Sequence, residues 1–274
     1  MIGMLLSLLI VTSAPDAGVR DPLVVMVPKK LPKSVPLIVL IHGLGSSSAI
    51  IDSYFKLSPL VEQRGFILAI PNGTMGPKGL AWNGTDVCCS FGQEWDDVGY
   101  LAGAIHELEA KYPIDPKRIF LVGHSNGGFM SHRMACEHPE LIAGIVSLAG
   151  SNWSDPAKCT PKQPVNVLQV HGTKDPLIKY EGGPRRGFAQ PGAEGSLAIW
   201  ATRNGCAGQL VPRKKELDLE SELKGAETEV LAYDGCPASG AVELWRMREG
   251  GHLPKFTAAW APSIVDWLLA HPKK

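Results

Sequence analysis

Arg118-Ile119-Phe120-Leu121-Val122-Gly123-His124-Ser125-Asn126-Gly127-Gly128-Phe129 is the stretch on which the reading of this chain turns. Ile119 to Val122 is a short apolar run of the kind that forms a buried strand. The residues from Gly128 to Ala135 read as the first turns of a helix. Between them, Gly123-His124-Ser125-Asn126-Gly127 fits the pattern G-x-S-x-G. Strand, sharp turn and helix in that order lift a serine into the open on a strained backbone. The flanking glycines are required because a side chain there would strike the neighbouring strand or helix. Ser125 is therefore the candidate nucleophile, with His124 placed to line the site beside it.

A serine of this kind needs a base and an orienting acid, expected downstream in the order acid, then histidine. Val165 to Gly172 is an apolar strand ending at glycine, and Asp175 follows on its loop. Val242 to Met247 alternates like a strand and runs into Glu249-Gly250-Gly251-His252, ahead of a final helix expected near Thr257 to Ala270. Ser125, Asp175 and His252 thus form the candidate triad. In such a triad the histidine takes the serine proton, while the aspartate fixes the histidine tautomer and stabilises the imidazolium. His106, His132 and His138 lie on or at the ends of predicted helices and read as surface or packing residues. His171 precedes Asp175 and so breaks the order. Asp97 reads as a helix N-cap.

Pro36 to Ile41 is a continuous apolar run and reads as a fully buried strand. It ends in His42-Gly43-Leu44-Gly45. A loop here and the residue after the nucleophile can supply two backbone N–H donors to an oxyanion. The candidates are Leu44 and Asn126. Trp82, on a long loop from Pro71 to Trp95, and Trp153, on the loop after Leu148, are candidates to contact a flat acyl group.

The chain resembles the α/β-hydrolases, and within them the secreted feruloyl esterase and polyhydroxybutyrate depolymerase-like esterases. The resemblance rests on Pro36 to Gly45, Trp82-Asn83-Gly84 with Cys88-Cys89, Asp96-Asp97-Val98-Gly99, Tyr112 to Gly128, Val170-His171-Gly172-Thr173 with Asp175-Pro176, Asn204-Gly205-Cys206 and Gly250-Gly251-His252. It implies a mostly parallel central sheet with helices on both faces. It also implies hydrolysis of carboxylic esters without metal or cofactor, on short-chain or aromatic, feruloyl-type esters. Polyester cleavage is the alternative, and a serine peptidase or a non-catalytic binding protein of the same fold are remoter readings. The resemblance further favours a disulfide between Cys206 and Cys236, across a charged excursion from Lys214 to Glu229. The connectivity of Cys88, Cys89, Cys136 and Cys159 is left open, as is the reading of six reduced thiols.

Alternating strands and helices over 274 residues predict one α/β catalytic domain over residues 18–274. Residues 1–17 read as a signal peptide, with an apolar core at Met4 to Val11 and small residues at Thr12-Ser13-Ala14. A buried N-terminal strand is the other reading of that segment. Export to a secreted or periplasmic location is the expectation that follows from the first. With 27 basic and 27 acidic residues the formal net charge is zero. Composition therefore gives no electrostatic case for nucleic acid or an acidic membrane surface. No interior apolar run approaches the roughly 20 residues of a membrane span. The expected partner is a small-molecule or polymer-attached ester.

Overall fold

Val35–Ile41 is buried at all seven positions, as an apolar run without polar alternation requires. Its side chains alternate between two cores. Leu37, Val39 and Ile41 belong to one, and Ile38 and Leu40 to the other. A strand apolar on both faces must be covered on both, and this fixes a three-layer architecture.

The computed structural model describes residues 8–11, 20–89, 91–185 and 187–274. In chain order the elements are β1 (Leu8–Val11), β2 (Leu23–Met26), β3 (Val35–Ile41), α1 (Ser48–Phe55), α2 (Leu60–Arg64), β4 (Ile67–Ile70), β5 (Thr74–Gly76), β6 (Gly79–Ala81), α3 (Asp97–Lys111), β7 (Ile114–His124), α4 (Asn126–Glu137), β8 (Gly144–Leu148), β9 (Asn166–Gly172), β10 (Gly183–Arg185), β11 (Phe188–Gln190), α5 (Gly192–Asn204), β12 (Leu210–Leu217), β13 (Thr228–Tyr233), β14 (Val242–Met247) and α6 (Trp260–Ala270). Among the described residues, ten strands form one sheet in the order β1-β2-β4-β3-β7-β8-β9-β14-β13-β12. The six from β4 to β14 run parallel, and the two outer strands at each end are antiparallel. Buried side chains of α3, α4 and α5 pack on one face of the sheet, and those of α1, α2 and α6 on the other. This is the α/β-hydrolase architecture that the sequence predicts.

Two features depart from expectation. The charged excursion from Lys214 to Glu229 spans parts of β12 and β13, a hairpin added to the sheet edge. Five consecutive residues of β12, Pro212 to Glu216, are exposed, so apolar alternation is missing from that strand. Cross-strand ion pairs take its place. Arg246 and Arg248 both bind Glu229, Arg248 binds Glu216, and Arg213 binds Asp234. A strand dressed in charge also resists edge-to-edge pairing with other chains. At α3 it is Asp96 that caps the helix, accepting the Gly99 amide at 2.8 Å. Asp97 is fully buried and ion-paired to Arg20 at 2.6 Å. Of the apolar N-terminal segment, only Leu8–Val11 falls among the described residues, paired antiparallel with β2. The remainder lies outside them.

The cysteines pair as Cys88–Cys89, Cys136–Cys159 and Cys206–Cys236. The last closes the base of the β12–β13 hairpin, next to the Leu210–Tyr233 register pair. Cross-linking a loop of 30 residues restricts the unfolded chain and contributes about 3 to 4 kcal/mol. Replacing Cys206 and Cys236 together by serine should lower the unfolding free energy by that order. Urea titration of oxidised wild type and variant checks this, and coincident midpoints would contradict it.

Candidate active site

Strand β7 delivers Ser125 and helix α4 starts directly after it. Ser125 has φ 52° and ψ −118°, a conformation rarely taken by a residue with a side chain. Main chain holds it there. The Ser125 amide donates to Leu148 O on β8 at 2.8 Å, and its carbonyl accepts from Phe129 at 3.0 Å. A Cβ on Gly123 would overlap the Gly127 carbonyl, and one on Gly127 would overlap the Ile41 carbonyl. The two flanking glycines of the motif are therefore demanded by close backbone approach. The loop after β3 also lies against this turn, though less tightly. A Cβ on Gly43 would lie 3.1 Å from His124 Nδ1 and 3.5 Å from Ser125 Cβ. Leu44, next along that loop, lines the same cavity as Ser125.

Asp175 and His252 come from loops after the neighbouring parallel strands β9 and β14. His252 Nδ1 lies 2.7 Å from Asp175 Oδ2. The other carboxylate oxygen accepts the Leu177 and Ile178 amides, each at 2.8 Å. Burial alone would raise this carboxyl. Hydrogen bonds from His171 and His252, the positive charge His252 can carry, and the Ile178 amide outweigh burial and hold it well below the usual carboxylate range. Asp175 is thus a fixed negative charge with both oxygens satisfied.

Behind it runs a chain of buried neutral side chains. The Trp200 indole donates to His132 Nδ1 at 2.9 Å, and His132 Nε2 meets Gln169 Oε1 at 3.1 Å. Gln169 Nε2 donates to His171 Nδ1 at 3.1 Å and to Gly150 O at 2.9 Å. His171 Nε2 then faces Ile178 O at 2.7 Å and Asp175 Oδ2 at 3.5 Å. Each partner fixes the next, so every histidine in the chain has one donor and one acceptor nitrogen. His132 is accordingly a buried link in this chain, where its helical position had read as surface or packing. His171 touches the acid while standing outside the expected order.

His124 lines the cavity. Its Nε2 lies 3.0 Å from His252 O, so it donates to the loop carrying the histidine. Burial, followed by the proximity of His252, lowers its pKa to about 4 and keeps it neutral. Tyr54 supports the same loop from α1, donating to Pro254 O at 2.9 Å and stacking on Phe256 with ring centroids 5.0 Å apart. Sequence reading missed Tyr54 because it missed α1. The signal was present: Ser47 caps the helix by accepting from Ile50, and Ile51 and Phe55 recur on its buried side.

The cavity has a volume of about 680 Å³. Leu44, Ile50, Ile51, Tyr54, Leu177 and Leu253 are among its apolar lining, and the Cys88–Cys89 pair lines it too. Neither tryptophan expected to contact an acyl group reaches it. Trp82 is fully buried in the core, its indole donating to His42 O at 3.1 Å. Trp153 lines a separate shallow depression with Asn83, Arg133 and Lys158. Both lie on loops whose course is set by tertiary contacts. Among the described residues no group of three or more His, Cys, Asp or Glu side chains is arranged to hold a metal ion.

Residues 23–185 match the phospholipase/carboxylesterase family. Over 228 residues the chain is 30% identical to feruloyl esterase B of Piromyces equi, a match covering 80% of this chain and 40% of that protein. Over 245 residues it is 31% identical to the putative esterase NocK of Nocardia uniformis, covering 86% of this chain and 70% of that one. The chain therefore spans less than half the length of the Piromyces relative. In three dimensions it is similar to an acetyl xylan esterase from Aspergillus awamori, with a TM-score of 0.68, 17% identity and coverage of 96% and 98% of the two chains. That likeness concerns the fold.

The buried histidines make stability pH-dependent. Burial lowers the pKa of His42, His124 and His132 to about 4, from an ordinary value of 6.5. The unfolded chain therefore binds protons first as pH falls. The stability these groups contribute is complete above pH 6.5 and is lost progressively down to about pH 4. Denaturant unfolding across this window should show a steep fall corresponding to uptake of about three protons on unfolding. A flat profile between pH 6.5 and 4.5 would show that these side chains protonate while the protein is still folded.

Proposed function

The chain belongs to the phospholipase/carboxylesterase family of α/β-hydrolase fold, and we propose that it is a serine esterase working through an acyl-enzyme on Ser125. The observation that carries this reading is the Asp175–His252 pair at 2.7 Å, with His252 and Ser125 lining one cavity. With Nδ1 tied to a permanent carboxylate, His252 keeps its proton there and presents Nε2 as the base. Ser125 Oγ attacks the acyl carbon as its proton passes to Nε2. The oxyanion forms against the amides of Leu44 and Asn126. Asn126 is the first residue of α4, so its N–H has no intrahelical acceptor. The imidazolium then protonates the departing alkoxide. Water, deprotonated by the same nitrogen, releases the acid and restores Ser125.

The wall of Leu, Ile and Tyr side chains supports a neutral, apolar acyl group. A volume of about 680 Å³ accommodates a flat aromatic acid such as a feruloyl group as well as short chains. Ile50, Leu177 and Leu253 are each more than half exposed at the cavity wall. Such an open apolar mouth also favours esters carried on a larger chain, which is the polyester reading. Three disulfides support an oxidising, secreted or periplasmic location.

Ser125→Ala should fold normally and lose ester turnover, and a fluorophosphonate should label Ser125 in the wild type. Asp175→Asn and His252→Ala should each lower kcat by roughly 10,000-fold, and the double variant should be little worse than either. Initial rates on p-nitrophenyl acetate and methyl ferulate, with an aminoacyl anilide for comparison, measure both activity and preference. Wild-type-like rates in Ser125→Ala would overturn the mechanism, and faster anilide cleavage would point to a peptidase.

A further inference from the structure

Trp82 lies outside the cavity, yet its polar groups bond the two segments that carry the proposed oxyanion amides. Its backbone N–H donates to Asn126 Oδ1 at 2.7 Å, and its carbonyl accepts from Asn126 Nδ2 at 2.9 Å. Asn126 is the residue after the nucleophile, and its side chain is completely buried. The Trp82 indole N–H donates to His42 O at 3.1 Å, two residues before Leu44. One residue thus bonds to both sides of the hole. Two of these bonds are made by the Trp82 main chain, and the indole N–H supplies the third, so only the bond to His42 depends on the residue being tryptophan.

The clamp is itself held. His42 accepts the Gly73 amide on Nε2 at 2.9 Å and turns Nδ1 to Gly43 O at 2.7 Å. Those partners require the neutral ring, and burial enforces it. The Trp82 ring stacks on Tyr100 at 6.4 Å between centroids, and the Arg20 guanidinium lies 4.1 Å over Tyr100. Arg20 is ion-paired with buried Asp97, whose second oxygen accepts the Asn83 amide. An ion pair, an aromatic stack and a set of hydrogen bonds therefore fix the Trp82–Asn83 segment from behind.

We infer that Trp82 and the Asn126 side chain are positioning residues that set the spacing between the Leu44 and Asn126 amides, and so preorganise the oxyanion hole. The inference rests on the reading of Ser125 as nucleophile with those two amides as its donors. Donors act at 2.7–3.1 Å from the developing oxyanion, and misplacement by a fraction of an ångström forfeits much of their effect. The ground-state ester, with less charge on its oxygen, is affected far less.

Trp82→Phe deletes the indole N–H while keeping an aromatic ring and both backbone bonds. Asn126→Ala deletes the other arm while leaving the backbone amide in place. Each variant should lower kcat on p-nitrophenyl acetate by about 10- to 100-fold, with KM within about twofold. The inhibition constant of an alkyl trifluoromethyl ketone, whose adduct places an oxyanion in the hole, should rise by the same factor as kcat falls. The pH midpoint of kcat/KM should not move, because the Asp175–His252 pair is untouched. The double variant should lose less than the product of the single losses, since both arms act on one spacing. Thermal melts confirm that each variant is folded, and Trp82→Phe alone decides the matter if Asn126→Ala is not. Unchanged ketone affinity, a purely KM effect or a shifted pH midpoint would overturn the clamp. Fluorophosphonate labelling of wild-type Ser125 keeps the two readings apart. Without labelling the nucleophile assignment fails, whereas labelling with unaltered ketone binding sinks the clamp alone.

Discussion

Ser125 sits at φ 52° and ψ −118°, a conformation that costs a side-chain-bearing residue on the order of 1–3 kcal/mol. It persists because backbone presses on it from three sides. Strand β3 closes against Gly127, the β8 end accepts the Ser125 amide, and the loop at Gly43 lies against the serine itself. The close backbone approaches at Gly123 and Gly127 do not survive an added methyl group, so those glycines and the strain belong to one arrangement. The parallel pairing of β3, β7 and β8 supplies the stiffness that a single turn lacks. Loosening that pairing would let the backbone relax and withdraw the hydroxyl from the cavity.

Around this turn the interior sets the Asp175 carboxylate among rings kept neutral. Asp175 remains ionised because its oxygens receive amide and imidazole donors. His42 and His124 face the loops of the site, and burial keeps each uncharged. Neutral rings cost far less to bury than charged ones. They bind carbonyls and amides without adding positive charge that would compete with His252 for the carboxylate. The same choice carries a penalty in acid, where each buried ring becomes a place at which unfolding takes up a proton.

The remote ion pairs serve a different purpose. Arg20–Asp97 lies beneath Trp82 and is desolvated, so it adds little net stability but fixes the direction of its neighbours. The arginine and glutamate pairs of the β12–β13 hairpin are partly exposed. They help hold an edge whose outermost strand, β12, buries little apolar surface. One set orders the interior near the chemistry, while the other extends the sheet away from it.

The sequence alone determined what depends on local covalent geometry and period. Largely apolar runs at Leu37 to Ile41, Ile119 to Val122 and Asn166 to Val170, short and rich in β-branched residues, read as buried strands, and G-x-S-x-G between strand and helix reads as a sharp turn. The order Ser125, Asp175, His252 was legible for the same reason, since each candidate follows directly on such a strand. Tertiary structure decided the rest. Trp82 looked like a substrate contact and is a buried brace, because nothing in its own segment records that Asn126 and His42 will arrive from 44 and 40 residues away. His132 found its place only when β9 brought Gln169, and with it His171, against α4. The charged hairpin was hidden because its strands are held by partners on a neighbouring strand, and a pattern read along one chain segment contains no information about charges across a sheet.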